Sequence, residues 1–113
     1  MQMSNKWSNL KTLDYYAGLY DAYGGLLTDR QAEMVQAYLF DDLSFTEIGD
    51  NLEISRQAVH EQVTKACDLL EDYELRLGFM AQHHRLKQAL NQCLQAQDPK
   101  QIQAVIQVIL QEL

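Results

Sequence analysis

Apolar residues recur along this chain at spacings of three and four, and nowhere do they alternate with period two over the length of a strand. Helices are therefore the only regular element the pattern predicts. A first helix is expected from about Asn5 to Tyr23, with Trp7, Leu10, Leu13, Ala17 and Tyr20 on one face, closing at Gly24-Gly25, where positive φ costs nothing. Thr28 and Gln31 spell a T-x-x-Q capping box, so the next helix spans roughly Asp29 to Phe40 and buries Ala32, Val35 and Leu39.

The segment from Ser44 to Leu70 has the grammar of a helix-turn-helix. Ser44 and Glu47 form an S-x-x-E capping box that starts a helix at Phe45, and Ile48 and Leu52 lie four apart on its inner face. Gly49 offers no side chain where a second helix must cross closely. Glu53 and Ile54 occupy the turn, Ile54 pointing inward, and Ser55 caps the following helix. From there Val59, Val63, Ala66 and Leu70 make a stripe of helical period, which defines the would-be recognition helix. Its pattern continues through Tyr73, Leu77 and Met80, with Gly78 as a kink or an end.

A further helical segment holds Leu86, Ala89, Leu90, Cys93 and Leu94, and Asp98-Pro99 supplies a cap and an N1 proline for a last helix reaching Leu113. That helix carries Ile102, Val105, Ile106, Ile109, Leu110 and Leu113 down one side and glutamines elsewhere. Such a stripe needs a partner, either the chain's own long helix or a second copy meeting it through the long and C-terminal helices as a homodimer. Two-fold symmetry would also suit helix-turn-helix half-sites. At 113 residues the chain has material for one hydrophobic core. The expectation is a single all-helical domain over 1–113, with the helix-turn-helix at about 44–70 and a C-terminal helical extension at about 79–113.

Charge changes what the motif implies. Facing away from the apolar stripe are Gln57, Glu61, Thr64 and Asp68, with His60 and Lys65 at the edges and Arg56 in the first turn; Arg56, Gln57, His60, Thr64 and Lys65, residue types that can read base edges or hold phosphates, are the candidate nucleic-acid-binding set. Yet between Thr28 and Asp72 three basic residues stand against eleven acidic ones, a net of −8. Lys and Arg neutralising phosphates supply most non-specific affinity, so a monomer of this kind should hold DNA weakly. Glu61, Asp68 and Asp72 on the same helix form the alternative candidate, an acidic face for a basic partner. The overall charge of −7 also disfavours anionic membranes, and no apolar run reaches the length of a bilayer span. The opening MQMSNKWSN lacks the layout of a signal peptide, which places the expected site of action in the cytoplasm.

Enzymatic chemistry finds little footing, and no catalytic residue, metal site or cofactor is expected. There is no G-x-x-x-x-G-K-[ST] loop to cradle a nucleotide. His83 and His84 are adjacent, about 100° apart on a helix, and cannot chelate as an i, i+4 pair does. His60 has no carboxylate at i+4 to make it a general base. Cys67 and Cys93 lack C-x-x-C spacing and read as small semi-buried thiols. The acidic pairs Asp41-Asp42 and Glu71-Asp72 read as solvated helix ends, and the tyrosines as core and rim packing.

Leu26 to Gln31, Tyr38, Asp41 to Gly49 and Ile54 to Val59 together resemble the DNA-binding region 4 of bacterial sigma factors. With the added run Leu70-Glu71-Asp72-Tyr73-Glu74 the chain is more similar still to the small YlxM-like proteins of Gram-positive bacteria, which are associated with the signal recognition particle operon. The resemblance covers about Leu13 to Leu77 and is not carried past Arg85. It implies an all-α, sigma-region-4-like helix-turn-helix bundle with a long recognition helix and a C-terminal extension. It also implies a regulatory or accessory role in the signal recognition particle pathway, with that particle's protein or RNA as partner. Glu53 stands where the turn often has Gly or Asp, and His60 where Tyr or Arg is often seen; both departures weaken the case for DNA contact. Two functions follow: an adaptor that binds a protein or ribonucleoprotein, or a helix-turn-helix transcriptional regulator that binds DNA.

Overall fold

The computed structural model describes residues 10–113, which fold into six α-helices with no strand among the described residues. The all-α expectation holds. The helices are α1 (Leu10–Tyr23), α2 (Asp29–Leu39), α3 (Phe45–Leu52), α4 (Arg56–Leu77), α5 (Phe79–Gln95) and α6 (Pro99–Glu112), with a short 3-10 turn at Gly24–Leu26. They group into two compact units, one ending at Leu77 and the other Gly78–Leu113.

In the first unit α4 is the axis against which α1, α2 and α3 pack. Its Val59, Val63, Ala66, Cys67 and Leu70 are all fully buried. Four of these are the stripe the sequence predicts; Cys67 is a fifth, a small thiol accepted into the apolar core. Each fully buried Val or Leu contributes roughly 1.5–3 kcal/mol relative to exposure. The other helices answer with Tyr16, Leu19 and Tyr23 from α1, Met34 and Val35 from α2, and Phe45 and Ile48 from α3.

The inner face of α1 is thus not the expected one. Leu13, Ala17 and Tyr20 are only half-buried, and the core positions are Tyr16, Leu19 and Tyr23, one residue out of phase. The reason lies across the interface, where Tyr16 donates its hydroxyl proton to Glu71 Oε1 of α4 at 2.8 Å and Tyr23 donates to Glu74 Oε1. A tyrosine whose tip finds a carboxylate can bury its ring without leaving the hydroxyl unpaired. The expected start near Asn5, and the Trp7 and Leu10 side chains, lie outside the described residues. Likewise α2 buries Met34 beside Val35, while Ala32 and Leu39 stay half-exposed at its margins.

Both capping boxes form as the sequence requires. Thr28 Oγ1 accepts from Gln31 N–H at 3.1 Å and Gln31 Oε1 accepts from Thr28 N–H at 3.2 Å. Ser44 Oγ accepts from Glu47 N–H at 3.1 Å and Glu47 Oε1 accepts from Ser44 N–H at 2.9 Å. Donation to the Glu47 carboxyl from the Ser44 backbone N–H, and then from the Ser44 side chain, holds it below the usual range, since it favours the ionised form. Gly24 and Gly25 differ from expectation, because neither uses positive φ. Gly24 is needed for space instead: a Cβ there would sit 2.9 Å from the Tyr20 ring.

The second unit is a hairpin of α5 and α6. Gly78 takes φ +67°, so the long helix ends at Leu77 and does not run on to Met80. Asp98 Oδ1 accepts from Lys100 N–H at 3.0 Å and Pro99 opens α6, as the Asp-Pro pair predicts. Arg85 Nε bonds Glu112 Oε1 at 3.1 Å, joining the start of α5 to the end of α6, so the two helices run antiparallel. Neither helix has a single buried residue.

Candidate functional site

The turn between α3 and α4 sets the geometry of the motif. Glu53 closes α3 in the left-handed region (φ 59°, ψ 42°), its N–H donating to the Gly49 carbonyl. This conformation costs a non-glycine residue about 1 kcal/mol, which is why Gly is a common solution at such turns. Ile54 then folds back so closely that a Cβ on Gly49 would lie 2.6 Å from its carbonyl oxygen and 3.4 Å from Arg56 N. Gly49 therefore makes room for the turn backbone itself as much as for the next helix. Ser55 Oγ accepts from Ala58 N–H at 3.0 Å and caps α4 as expected.

On α4 the five candidate nucleic-acid contacts separate into two kinds. Arg56, Gln57 and Lys65 are exposed. His60 and Thr64 are half-buried, and their Nε2 and Oγ1 atoms are shielded from solvent without a hydrogen-bond partner among the described residues. The His60 ring meets the Phe45 ring edge-on at 5.3 Å, and Phe45 in turn stacks on Tyr38 at 4.5 Å. Arg56 reaches over the same Phe45 ring, with its guanidinium carbon 6.0 Å from the centroid. Burial raises the Tyr38 hydroxyl above its ordinary pKa, with Cys67 adding to the effect. Tyr38, Phe45 and His60 thus form an aromatic support under the start of α4. The sequence reading gave neither Tyr38 nor Phe45 a place in the candidate site; the contact between them joins two helices and has no local spacing signal.

The acidic candidates share the surface of the nucleic-acid set. Glu61 and Asp68 are exposed and, with His60, Gln62, Thr64 and Lys65, line an open depression of about 400 Å³ on the outer side of α4. Helical spacing puts Gln57, Glu61, Thr64, Asp68 and Asp72 on one face opposite the buried stripe. The two candidate sites are one surface. Its carboxylates stand in different states: Asp72 Oδ2 is held by Arg76 Nε at 3.0 Å, while Glu61 and Asp68 have no counter-ion among the described residues. Glu71, expected beside Asp72 as a solvated helix end, is instead the half-buried acceptor for Tyr16. Burial and then that carboxylate raise the Tyr16 hydroxyl well above the usual phenol range, so it remains a donor. The pairing has a signal in retrospect, since Tyr16 and Tyr23 are seven apart and Glu71 and Glu74 three apart, each set on one helical face.

His83 and His84 are both exposed, and Cys67 and Cys93 are both free thiols. Among the described residues no group of three or more His, Cys, Asp or Glu could hold a metal ion, and no helix is long and apolar enough to cross a membrane.

Capped α3, the tight turn at Glu53 and the long α4 define a helix-turn-helix protein. The family model described as "Putative helix-turn-helix protein, YlxM / p13 like", UPF0122, matches residues 10–109, and the chain belongs to this family. A UPF0122 protein of Symbiobacterium thermophilum is 42% identical to it over 84% of this chain and 89% of its own length. One from Exiguobacterium sibiricum is 38% identical over 82% and 88%, and one from Caldanaerobacter subterraneus 46% identical over 60% and 58%. The family is defined by its helix-turn-helix and not by an enzymatic activity.

Proposed function

We propose that this chain is a regulatory or accessory protein of the signal recognition particle pathway, acting in the cytoplasm by binding a protein or ribonucleoprotein partner through the outer face of α4. The observation that carries the binding mode is the depression beside Lys65, where the unpaired Glu61 and Asp68 carboxylates outnumber the single lysine. A phosphate backbone meeting that face gains one cation and must desolvate against two anions. A basic surface meets the complementary sign, which raises its association rate and orients it. The pathway itself rests on the resemblance to YlxM-like proteins. Within it, the methionine-rich RNA-binding domain of the signal recognition particle protein is the basic partner of choice.

The second reading is a DNA-binding transcriptional regulator. Its support is the helix-turn-helix geometry together with the exposure of Arg56 and Gln57 at the start of α4. In that mode Arg56, Gln57 and Lys65 make the first contacts. His60 and Thr64 join only if the His60 ring leaves Phe45.

One titration series separates the two. Purified protein is presented to the signal recognition particle protein, to its RNA and to duplex DNA over a range of salt. The adaptor reading expects the protein complex to weaken roughly a hundredfold in the triple variant Glu61→Lys, Asp68→Lys, Asp72→Lys and to survive Arg56→Glu. Duplex binding that falls steeply with salt and vanishes in Arg56→Glu, with the triple variant binding DNA more tightly, would establish the regulator instead.

A further inference from the structure

We infer that the α5–α6 hairpin is the self-association surface of this protein, and that two copies join through it as a four-helix bundle. The first observation is that the hairpin has regular, capped helices and yet no buried residue. Helices of this length are marginal alone in water, and tertiary packing must supply most of their stability.

The second is where the exposed apolar residues sit. The inward positions of α5 are Leu86, Ala89 and Cys93, and those of α6 are Ile102, Val105 and Ile109, all half-buried. Leu90 and Leu94 follow Leu86 by four and eight residues, and Ile106, Leu110 and Leu113 follow Ile102 by four, eight and eleven. Each step of four turns the helix about 40° past a full revolution, and a step of eleven about 20°, so both strips are rotated from the contact line in the same sense. In an antiparallel pair that shared sense brings both strips to one side of the hairpin. Phe79 joins them on α5, and exposure across the six residues runs from 43% at Ile106 to 84% at Leu94.

Area and charge point to a second copy as the occupant. The six side chains leave on the order of 800 Å² of mainly apolar surface, one partner's share of a standard interface. The unit carries Arg85, Lys87 and Lys100 against Asp98 and Glu112, a net of +1 with His neutral; Lys87 borders the strip, three residues before Leu90, and the other four lie off it. Two copies therefore meet with little repulsion. Of the other exposed positions of α6 four are glutamines and one, Lys100, is basic, where a helix lying on an anionic membrane would carry several Lys and Arg; Val108 is exposed outside the strip. An isologous two-helix-plus-two-helix arrangement buries each strip against its own equivalent. The inference is independent of which partner the outer face of α4 binds.

Light scattering on a sizing column, run on the full chain from about 1 to 100 µM, tests it. The expected mass is twice the 13.1 kDa of one chain at the upper concentrations. The double variant Leu94→Glu, Leu110→Glu is expected at the mass of one chain, with the near-UV tyrosine signal of the first unit retained. Because two glutamates could unfold the hairpin, Leu94→Ala is the milder control, expected to dimerise at least tenfold more weakly. A wild-type chain of single mass throughout overturns the proposal, whether its strip is then covered by lipid, by another protein or by its own first unit. So does a double variant that still dimerises, which would put the seam elsewhere.

Discussion

Helices α4 and α5 both present an apolar stripe of helical period, but they meet different numbers of neighbours. Three helices cross α4, and five of its side chains vanish from solvent. α5 has one hairpin neighbour, α6, and buries nothing. An amphipathic stripe spans 100° or more of a helix, and one neighbour covers only part of that arc. Charge divides the same way: the chain up to Leu77 has six basic and fourteen acidic residues, net −8, against +1 for the hairpin. The first unit has its own buried core and an exterior of net negative charge on which Leu26 and Leu75 stay exposed, and the second buries no residue of its own.

The sharpest way to break this contrast is to delete the same side chain from both. Leu70→Ala should cost about 3 kcal/mol in urea unfolding followed by circular dichroism, because a fully buried leucine leaves a cavity among packed helices. Leu94→Ala should leave that transition of the first unit in place and act only on the hairpin. Equal costs would mean that the two units share one core.

Next comes the tie that sets the phase of α1. Tyr16→Phe removes the donor to Glu71 and leaves a half-buried carboxylate short of a bond, an expected loss of about 1 kcal/mol by the same measurement. No loss would show that the tyrosine ring alone positions the helix.

A comparable effect is expected at the start of α3, where Ser44→Ala should cost about 1 kcal/mol. The capping box also gives the first unit an acid-sensitive element. Glu47 has its folded pKa below the unfolded value, so its contribution is present above the ordinary carboxylate range and disappears as pH falls through the depressed value. Glu47→Gln should flatten that part of the stability profile below about pH 4.5, and an unchanged slope would assign it to other carboxylates. Smallest is Glu53→Gly, which relieves the left-handed turn and should raise stability by about 0.5 kcal/mol; a loss would show that the Glu53 side chain does more than tolerate its φ.

The sequence by itself determined the elements and their ends. Capping boxes at Thr28 and Ser44, the Asp98-Pro99 start, the α4 stripe and the all-α class are written in residues three or four apart, and interactions of that range do not depend on the rest of the fold. It also held the full candidate surface from Arg56 to Asp72, since one helix carries it. Tertiary structure alone decided which of those side chains point outward in fact. Phe45 draws His60 down, Arg76 neutralises Asp72, and Tyr16 turns Glu71 from a surface charge into an interior acceptor. It also shifted the α1 face by one residue, because a tyrosine follows its hydroxyl's partner on another helix. Local spacing specifies a helix and its stripe, but which part of the stripe is covered depends on how many neighbours arrive. That number differs between α4 and α5, and it separates the unit that ends at Leu77 from the hairpin that begins at Gly78.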